Sequence, residues 1–221
     1  MVLGTMQDRI SDRLEEHSKI LASISHDLQT PITRMRLRVE KMEASTEQQR
    51  IVDDLREMEQ LVRQCLSYAR GTLSGAAVRV KMCPVAFLES LASDYQDTGR
   101  PVTLFTTVSG PIMACPQALR RVLGNLIDNA IKYGGAAEIS AHRDAGGALC
   151  VSVSDRGPGI PEGELERVLQ PFYRAAASRN SDVGGAGLGL AIAAQLISSL
   201  DGHLMLSNRS GGGLTATITL P

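Results

Sequence analysis

Leu21–Met42, LASISHDLQTPITRMRLRVEKM, places apolar side chains at Leu21, Ile24, Leu28, Ile32, Met35, Val39 and Met42, the three- and four-residue steps of an amphipathic helix. Upstream, Ile10, Leu14 and His17 extend the same line. Two successive steps of four, from Ile24 to Leu28 to Ile32, interrupt the alternation beside Pro31. A proline inside a helix removes one backbone hydrogen bond and bends the rod, so the seam is expected to be disturbed there. After a break at Ala44–Thr46, with Thr46 and Gln49 spaced as a capping box, a second seam runs Ile51, Leu55, Met58, Val62, Cys65. The expectation is an antiparallel helical hairpin. Two such helices bury both seams poorly alone, so two hairpins are expected to form a homodimeric four-helix bundle. Packing of the hairpin on the rest of its own chain is the competing arrangement.

Glycine and proline divide the rest. Of 21 glycines only Gly4 lies in the first 70 residues, and of nine prolines only Pro31 precedes Pro84. Both disfavour helix interiors, which makes the first third long helix and the remainder a loop-punctuated domain, with the junction near Gly71–Ala77. Downstream, helical patterns cover Val85–Asp97, Pro116–Tyr133, Gly163–Val168 and Leu188–Leu200, and strand patterns cover Val102–Val108, Ile112–Ala114, Ala137–Arg143, Ala148–Ser154, His203–Ser207 and Leu214–Leu220. The last three strands suggest a mixed or antiparallel sheet with helices on one face, an α/β sandwich. The fold class is thus α followed by α/β, with a linker or coiled coil at 1–16, the hairpin at 17–75 and the sandwich at 78–221.

Composition removes several functions. The 221 residues carry 23 Lys plus Arg against 24 Asp plus Glu, which leaves no strong field to attract nucleic acid. Aromatics are only 3%, too few for a base-stacking platform. Cys65, Cys83, Cys115 and Cys150 form no CxxC, so neither a zinc site nor a redox pair is expected, and a reducing cytosol fits. No apolar run approaches the ~18 residues of a membrane span, so no membrane contact is expected of this stretch.

Four constellations can carry chemistry. His26 lies two residues from both Ile24 and Leu28, so on a helix it points away from the seam. Asp27 beside it can orient or deprotonate the ring, and Thr30, four residues on, shares its face and can place a water. Taken alone, His26 also reads as an ordinary exposed histidine. On Pro116–Tyr133, Arg121, Asn125, Asn129 and Lys132 form a stripe beside Leu119, Leu123, Leu126 and Ala130. Asparagine is poor in helix interiors, and two amide oxygens one turn apart suit Mg²⁺ shared with phosphates; a merely wet helix face is the alternative. Asp155-Arg156-Gly157-Pro158-Gly159 follows a strand pattern, where a carboxylate can accept from an exocyclic amine such as that of adenine. Finally, Gly184–Leu190, GGAGLGL, opens a helix whose free N–H groups suit phosphate, yet it matches neither a Walker loop nor a dinucleotide fingerprint.

These residues carry a family resemblance. Ser25–Pro31, SHDLQTP, resembles the phosphoacceptor box of sensor histidine kinases, and Ile32–Val39, ITRMRLRV, is similar to the osmosensor-like branch. Asn125–Tyr133, NLIDNAIKY, resembles that family's asparagine box; Asp155–Gly159 and Gly184–Leu190 resemble its two glycine boxes; and Pro171–Arg174, PFYR, resembles its phenylalanine box. The resemblance spans about Met6 to Pro221 and implies a Bergerat-type ATP-binding domain and the cofactors ATP and Mg²⁺. It assigns His26 as phosphorylated residue, Asp27 as acid–base helper and Thr30 to positioning water in dephosphorylation. It gives Asn125 and Asn129 to magnesium or phosphate, Lys132 to phosphate, Tyr133 to nucleotide contact and Asp155 to adenine. Gly157, Gly159, Gly185, Gly187, Leu188 and Gly189 would shape the nucleotide pocket, with Phe172 beside it. Arg174 and Arg179 are within reach of the phosphates, Arg179 being equally well a solvated loop residue. Gln29 departs from the family's usual Arg. The implied partners are a second copy and a response-regulator receiver domain, and the implied location is the cytoplasmic side of an inner-membrane sensor. Gyrase- and chaperone-type ATPases share the nucleotide fold but carry a glutamate base where this chain has Asn125; an inactive dimeric scaffold is the non-enzymatic alternative.

Overall fold

A computed structural model describes residues 28–43, 45–71, 78–175 and 186–221, and the chain divides into two units, Met1–Gly75 and Ala76–Pro221. In the first unit α1 is helical over 28–39 and α2 is Thr46–Gly71. The turn between them is capped one residue earlier than the Thr46–Gln49 expectation. Ser45 Oγ accepts the Gln48 N–H (3.0 Å), and the Gln48 side chain donates to the Val39 carbonyl (3.1 Å) at the end of α1. Gln48 thus serves the end of the preceding helix as well as the start of its own.

Ile32, Val39, Val52 and Leu55 are buried together, with Ile51 and Val62 packed against them. Arg36 Nη1 donates to both oxygens of Glu59 (3.1 Å each), and this mostly buried pair fixes the antiparallel register of α1 on α2. The expected seam is not covered along its whole length. Leu28, Met35, Met42 and Met58 stay 40–56% exposed, while Val52, off the expected line, is buried. A single partner helix covers only one of the two adjacent lines that three-four spacing creates.

The second unit holds β1 (Val80–Met82), α3 (Pro84–Gln96), β2 (Val102–Thr106), β3 (Ile112–Ala114), α4 (Pro116–Gly134), β4 (Ala137–Arg143), β5 (Leu149–Ser154), α5 (Gly189–Ser198), β6 (His203–Asn208) and β7 (Leu214–Leu220). β1 and β3 form a two-stranded antiparallel ribbon. The main sheet runs β2-β4-β5-β7-β6, with β2 parallel to β4 and the other pairs antiparallel. In register, Ile139, Val153, Ala216 and Leu206 make one apolar row across it, and Ala141, Val151 and Ile218 another. These rows meet the buried faces of the helices, chiefly Leu119, Val122, Leu123, Leu126 and Ile127 of α4. The opposite face is polar: Ser152 and Thr217 pair at 2.9 Å, as do Ser154 and Thr215.

Three local expectations change. Gly163–Val168 forms no α-helix but part of two 3₁₀ turns, Glu162–Glu164 and Arg167–Leu169, because six residues beginning with glycine cannot sustain a nucleus. The strand expected to reach Val108 stops at Thr106, whose hydroxyl accepts the Val108 N–H (3.3 Å) and turns the chain. β1 was not expected, since three residues show no usable alternation.

Candidate active site

Asp155 follows β5 directly and is 5% exposed. Its N–H donates to the Leu214 carbonyl (2.9 Å), and its Oδ1 accepts from the Gly157 N–H (2.7 Å) and the Leu214 N–H (3.1 Å). No described residue donates to Oδ2. One carboxylate oxygen is therefore fixed by the backbone, and the other is left as an acceptor for a ligand.

Close backbone approach brings α4 to this loop. A Cβ on Gly157 would lie 2.6 Å from the Tyr133 carbonyl, and one on Gly134 would lie 2.6 Å from the Asp155 Cβ, so Tyr133, Gly134, Asp155 and Gly157 form one cluster. Gly159 completes it: Asn208 accepts the Ile160 N–H (2.9 Å) and donates to the Ile160 carbonyl (2.6 Å), leaving no room for a Cβ at 159. Asn208 has no sequence signature as a site residue.

Asn125 and Asn129 lie one turn apart on α4, half-buried, and neither makes a side-chain hydrogen bond with another described residue. Two amide oxygens held on one side of a helix, with no cluster of three or more His, Cys, Asp or Glu among the described residues, fit a Mg²⁺ that keeps water and takes phosphate ligands. Asp128, the one carboxylate on α4, faces α3 instead. It accepts from Tyr95 Oη (3.0 Å) and Arg100 Nη2 (2.7 Å), and Arg100 lies 4.6 Å from the centre of the Tyr95 ring. Burial, reinforced by Asp128 and opposed in part by Arg100, pushes the Tyr95 phenol up to about 12. The folded state thus favours the neutral phenol, and this stabilisation, complete below pH 10, is lost as pH rises toward 12. In an alkaline absorbance titration Tyr95→Phe should remove a tyrosinate transition near pH 12.

Lys132 is exposed, with its ammonium 5.5 Å from the centre of the half-buried Tyr133 ring. Farther along, the Phe172 N–H donates to the Gly187 carbonyl (3.1 Å), and a Cβ on Gly187 would lie 2.6 Å from the Tyr173 carbonyl. Gly187 has φ +68°, so an L side chain there would be both strained and blocked. Phe172 is exposed, Arg174 half-buried, and Leu188 buried just ahead of Gly189, which opens α5. α5, the helix that follows the glycine turn, packs alongside α4, which carries the two asparagines. His26, Asp27, Arg179 and Gly185 lie outside the described residues; Thr30 is exposed on α1.

The clamp behind Asp155 is legible only in three dimensions. Arg209 Nη1 donates to the Asp155 carbonyl (3.0 Å) and its Nη2 pairs with Glu138 Oε2 (3.1 Å). Arg156 donates to Glu138 Oε1 through Nε (3.1 Å) and Nη2 (2.9 Å). Hydrogen bonds from Arg156, then the charge of Arg209, hold the Glu138 carboxyl below the usual carboxylate range.

Residues 16–73 match the His Kinase A (phospho-acceptor) domain, and residues 114–221 match the Histidine kinase-, DNA gyrase B-, and HSP90-like ATPase domain. The sensor histidine kinase GtrS of Pseudomonas aeruginosa is 38% identical over 218 residues, covering 99% of this chain and 45% of that protein. The sensor histidine kinase CpxA of Escherichia coli is 28% identical over 218 residues, covering 94% and 48%. The chain thus spans about half the length of these curated relatives. Full-length ShkA in complex with AMPPNP superposes with a TM-score of 0.70 at 27% identity, covering 92% of this chain and 45% of that one. The histidine kinase AdeS of Acinetobacter baumannii, at 24% identity, shares the fold with a TM-score of 0.63 over 88% of this chain and 96% of its own.

Proposed function

The chain belongs to the sensor histidine kinases, joining their phospho-acceptor and ATP-binding parts in one polypeptide, and on that premise we propose that it transfers the γ-phosphoryl group of Mg·ATP to His26 and from there to an aspartate of a response-regulator receiver domain. The N–P bond forms as the bond to the ADP oxygen breaks, and the proton of the second ring nitrogen passes to Asp27. Asp155 Oδ2 accepts the adenine amine while Tyr133 packs on the nucleotide. Asn125 and Asn129 hold magnesium and phosphate oxygens, and Lys132, Arg174 and Arg179 neutralise phosphate charge. Gly157 and Gly159 admit the base, and Gly185, Gly187, Leu188 and Gly189 bring the start of α5 to the phosphates. Thr30 places the water when the same protein dephosphorylates its regulator. Similarity of Ile32–Val39 to the osmosensor-like branch belongs to this reading as well.

One observation carries the choice of transfer over hydrolysis. A water-activating enzyme needs a carboxylate base on α4; this helix has only Asp128, which is turned toward Tyr95 and Arg100, while position 125 is an amide. With γ-labelled ATP and Mg²⁺ the protein should therefore acquire label that survives alkali and is lost in acid. Steady phosphate release without protein-bound label would overturn the proposal in favour of a hydrolytic ATPase.

The partner of the uncovered helical line is a second copy of the chain. Leu28 and Met35 are spaced by seven and so stay on one side of α1, and Met42 just past its end and Met58 on α2 are exposed like them. Glutamate at both Met35 and Met58 should shift sedimentation at micromolar concentration from dimer to monomer with helical content retained; an unchanged dimer would remove this line from the interface. No helix among the described residues is long and apolar enough to cross a membrane. We place the chain on the cytoplasmic side of a membrane-anchored sensor.

A further inference from the structure

Asp155 can distinguish bases only if Oδ2 points in one direction, and because backbone N–H groups hold Oδ1, that direction follows the placement of the backbone around Asp155. A Cβ on Gly213 would overlap the Asp155 carbonyl oxygen, so the turn between β6 and β7 lies directly on the Asp155 backbone; Gly213 adopts φ +107°, which an L residue avoids. Arg209, at the other end of the same turn, donates its N–H to the Gly213 carbonyl (3.0 Å) and its Nη1 to the Asp155 carbonyl (3.0 Å). Its second nitrogen is braced by Glu138 of β4, whose backbone partner across the sheet is Ser154, the residue before Asp155. Arg209 and Glu138 are each about 30% exposed at the side chain, whereas Arg156, on the far side of Glu138, is 77% exposed.

We infer that Arg209, braced by Glu138, is a positioning residue that orients Asp155 through its carbonyl and thereby sets the preference for a 6-amino over a 6-oxo purine. The inference rests on the reading of Asp155 as the adenine acceptor. An oxygen held in one direction accepts from the adenine amine and repels the guanine carbonyl; an oxygen free to swing loses the first interaction and relaxes the second. A guanidinium suits this task because one planar group serves two acceptors in fixed relation.

Equilibrium binding of ADP and GDP to the whole chain tests this without turnover. Arg209→Met should weaken ADP about tenfold and GDP little, so that the ADP preference falls about tenfold; Arg209→Lys, retaining one donor, should restore most of it. Glu138→Gln, at a half-exposed position that folding tolerates, should lower the preference about threefold. Equal weakening of both nucleotides by Arg209→Met and Glu138→Gln would show a merely structural role and overturn the inference, as would an unaltered preference. If the native chain prefers ADP and Asp155→Asn abolishes that preference while the Arg209 and Glu138 variants keep it, only the inference fails. If the native chain shows no preference, or Asp155→Asn leaves it intact, the reading of Asp155 fails and takes the inference with it.

Discussion

His26→Gln is expected to reduce acid-labile phosphate incorporation from γ-labelled ATP to background while leaving ADP affinity native. Glutamine offers no ring nitrogen with an available lone pair, and neither Asp27 nor Thr30 can replace it as a nitrogen nucleophile. Attack by the Thr30 hydroxyl would give a phosphoester that survives acid, so the chemical stability of any residual label identifies its origin. Nucleotide affinity should hold because Asn125, Asn129, Tyr133 and Asp155 all belong to the Ala76–Pro221 unit. Acid-labile label persisting in the variant would place the acceptor elsewhere.

Asp155→Asn acts on the opposite half of the reaction. The amide is nearly isosteric, and with its oxygen in the place of Oδ1 it can still accept from Gly157 and Leu214. Its NH₂ then occupies the place of Oδ2 and meets the adenine amine donor to donor. Turning the amide over restores an acceptor for adenine but sets NH₂ against two backbone N–H groups. Either arrangement leaves a buried polar group unpaired, and ADP affinity should fall on the order of 100-fold, about 2.7 kcal/mol. Calorimetric titration with ADP measures this. The unfolding midpoint without nucleotide should move by only a few degrees, separating lost recognition from lost structure. Affinity within twofold of native would remove Asp155 from the adenine site.

The contrast between what sequence revealed and what it hid follows the range of the interactions involved. The helices and the α/β unit were readable because their signals are local: three-four spacing, proline at the start of α4, alternation in β4 and β7. The placement of the asparagine pair on one helix and of Asp155 at a strand end was readable because both elements are local in sequence. Arg209, Glu138 and Asn208 carried no signal, since each acquires its role from a residue 18 or more positions away, as in the pairs 138–156, 155–209 and 160–208. The cap at Ser45 was displaced by one residue because serine, threonine and two glutamines make overlapping boxes, and only contact with Val39 selects one.

The order of the main sheet has a consequence for synthesis. β7 is the latest of its five strands in sequence, yet it lies between β5 and β6 and supplies Leu214, whose backbone holds Asp155 at both its N–H and its Oδ1. On the ribosome the helical hairpin, with partners such as Arg36 and Glu59 only 23 positions apart, can form early, whereas the pairing of Leu149 with Leu220 must wait for the last strand to emerge. A nascent chain thus closes its helical hairpin before the sheet that holds Asp155 is complete, so the two units are expected to fold in chain order.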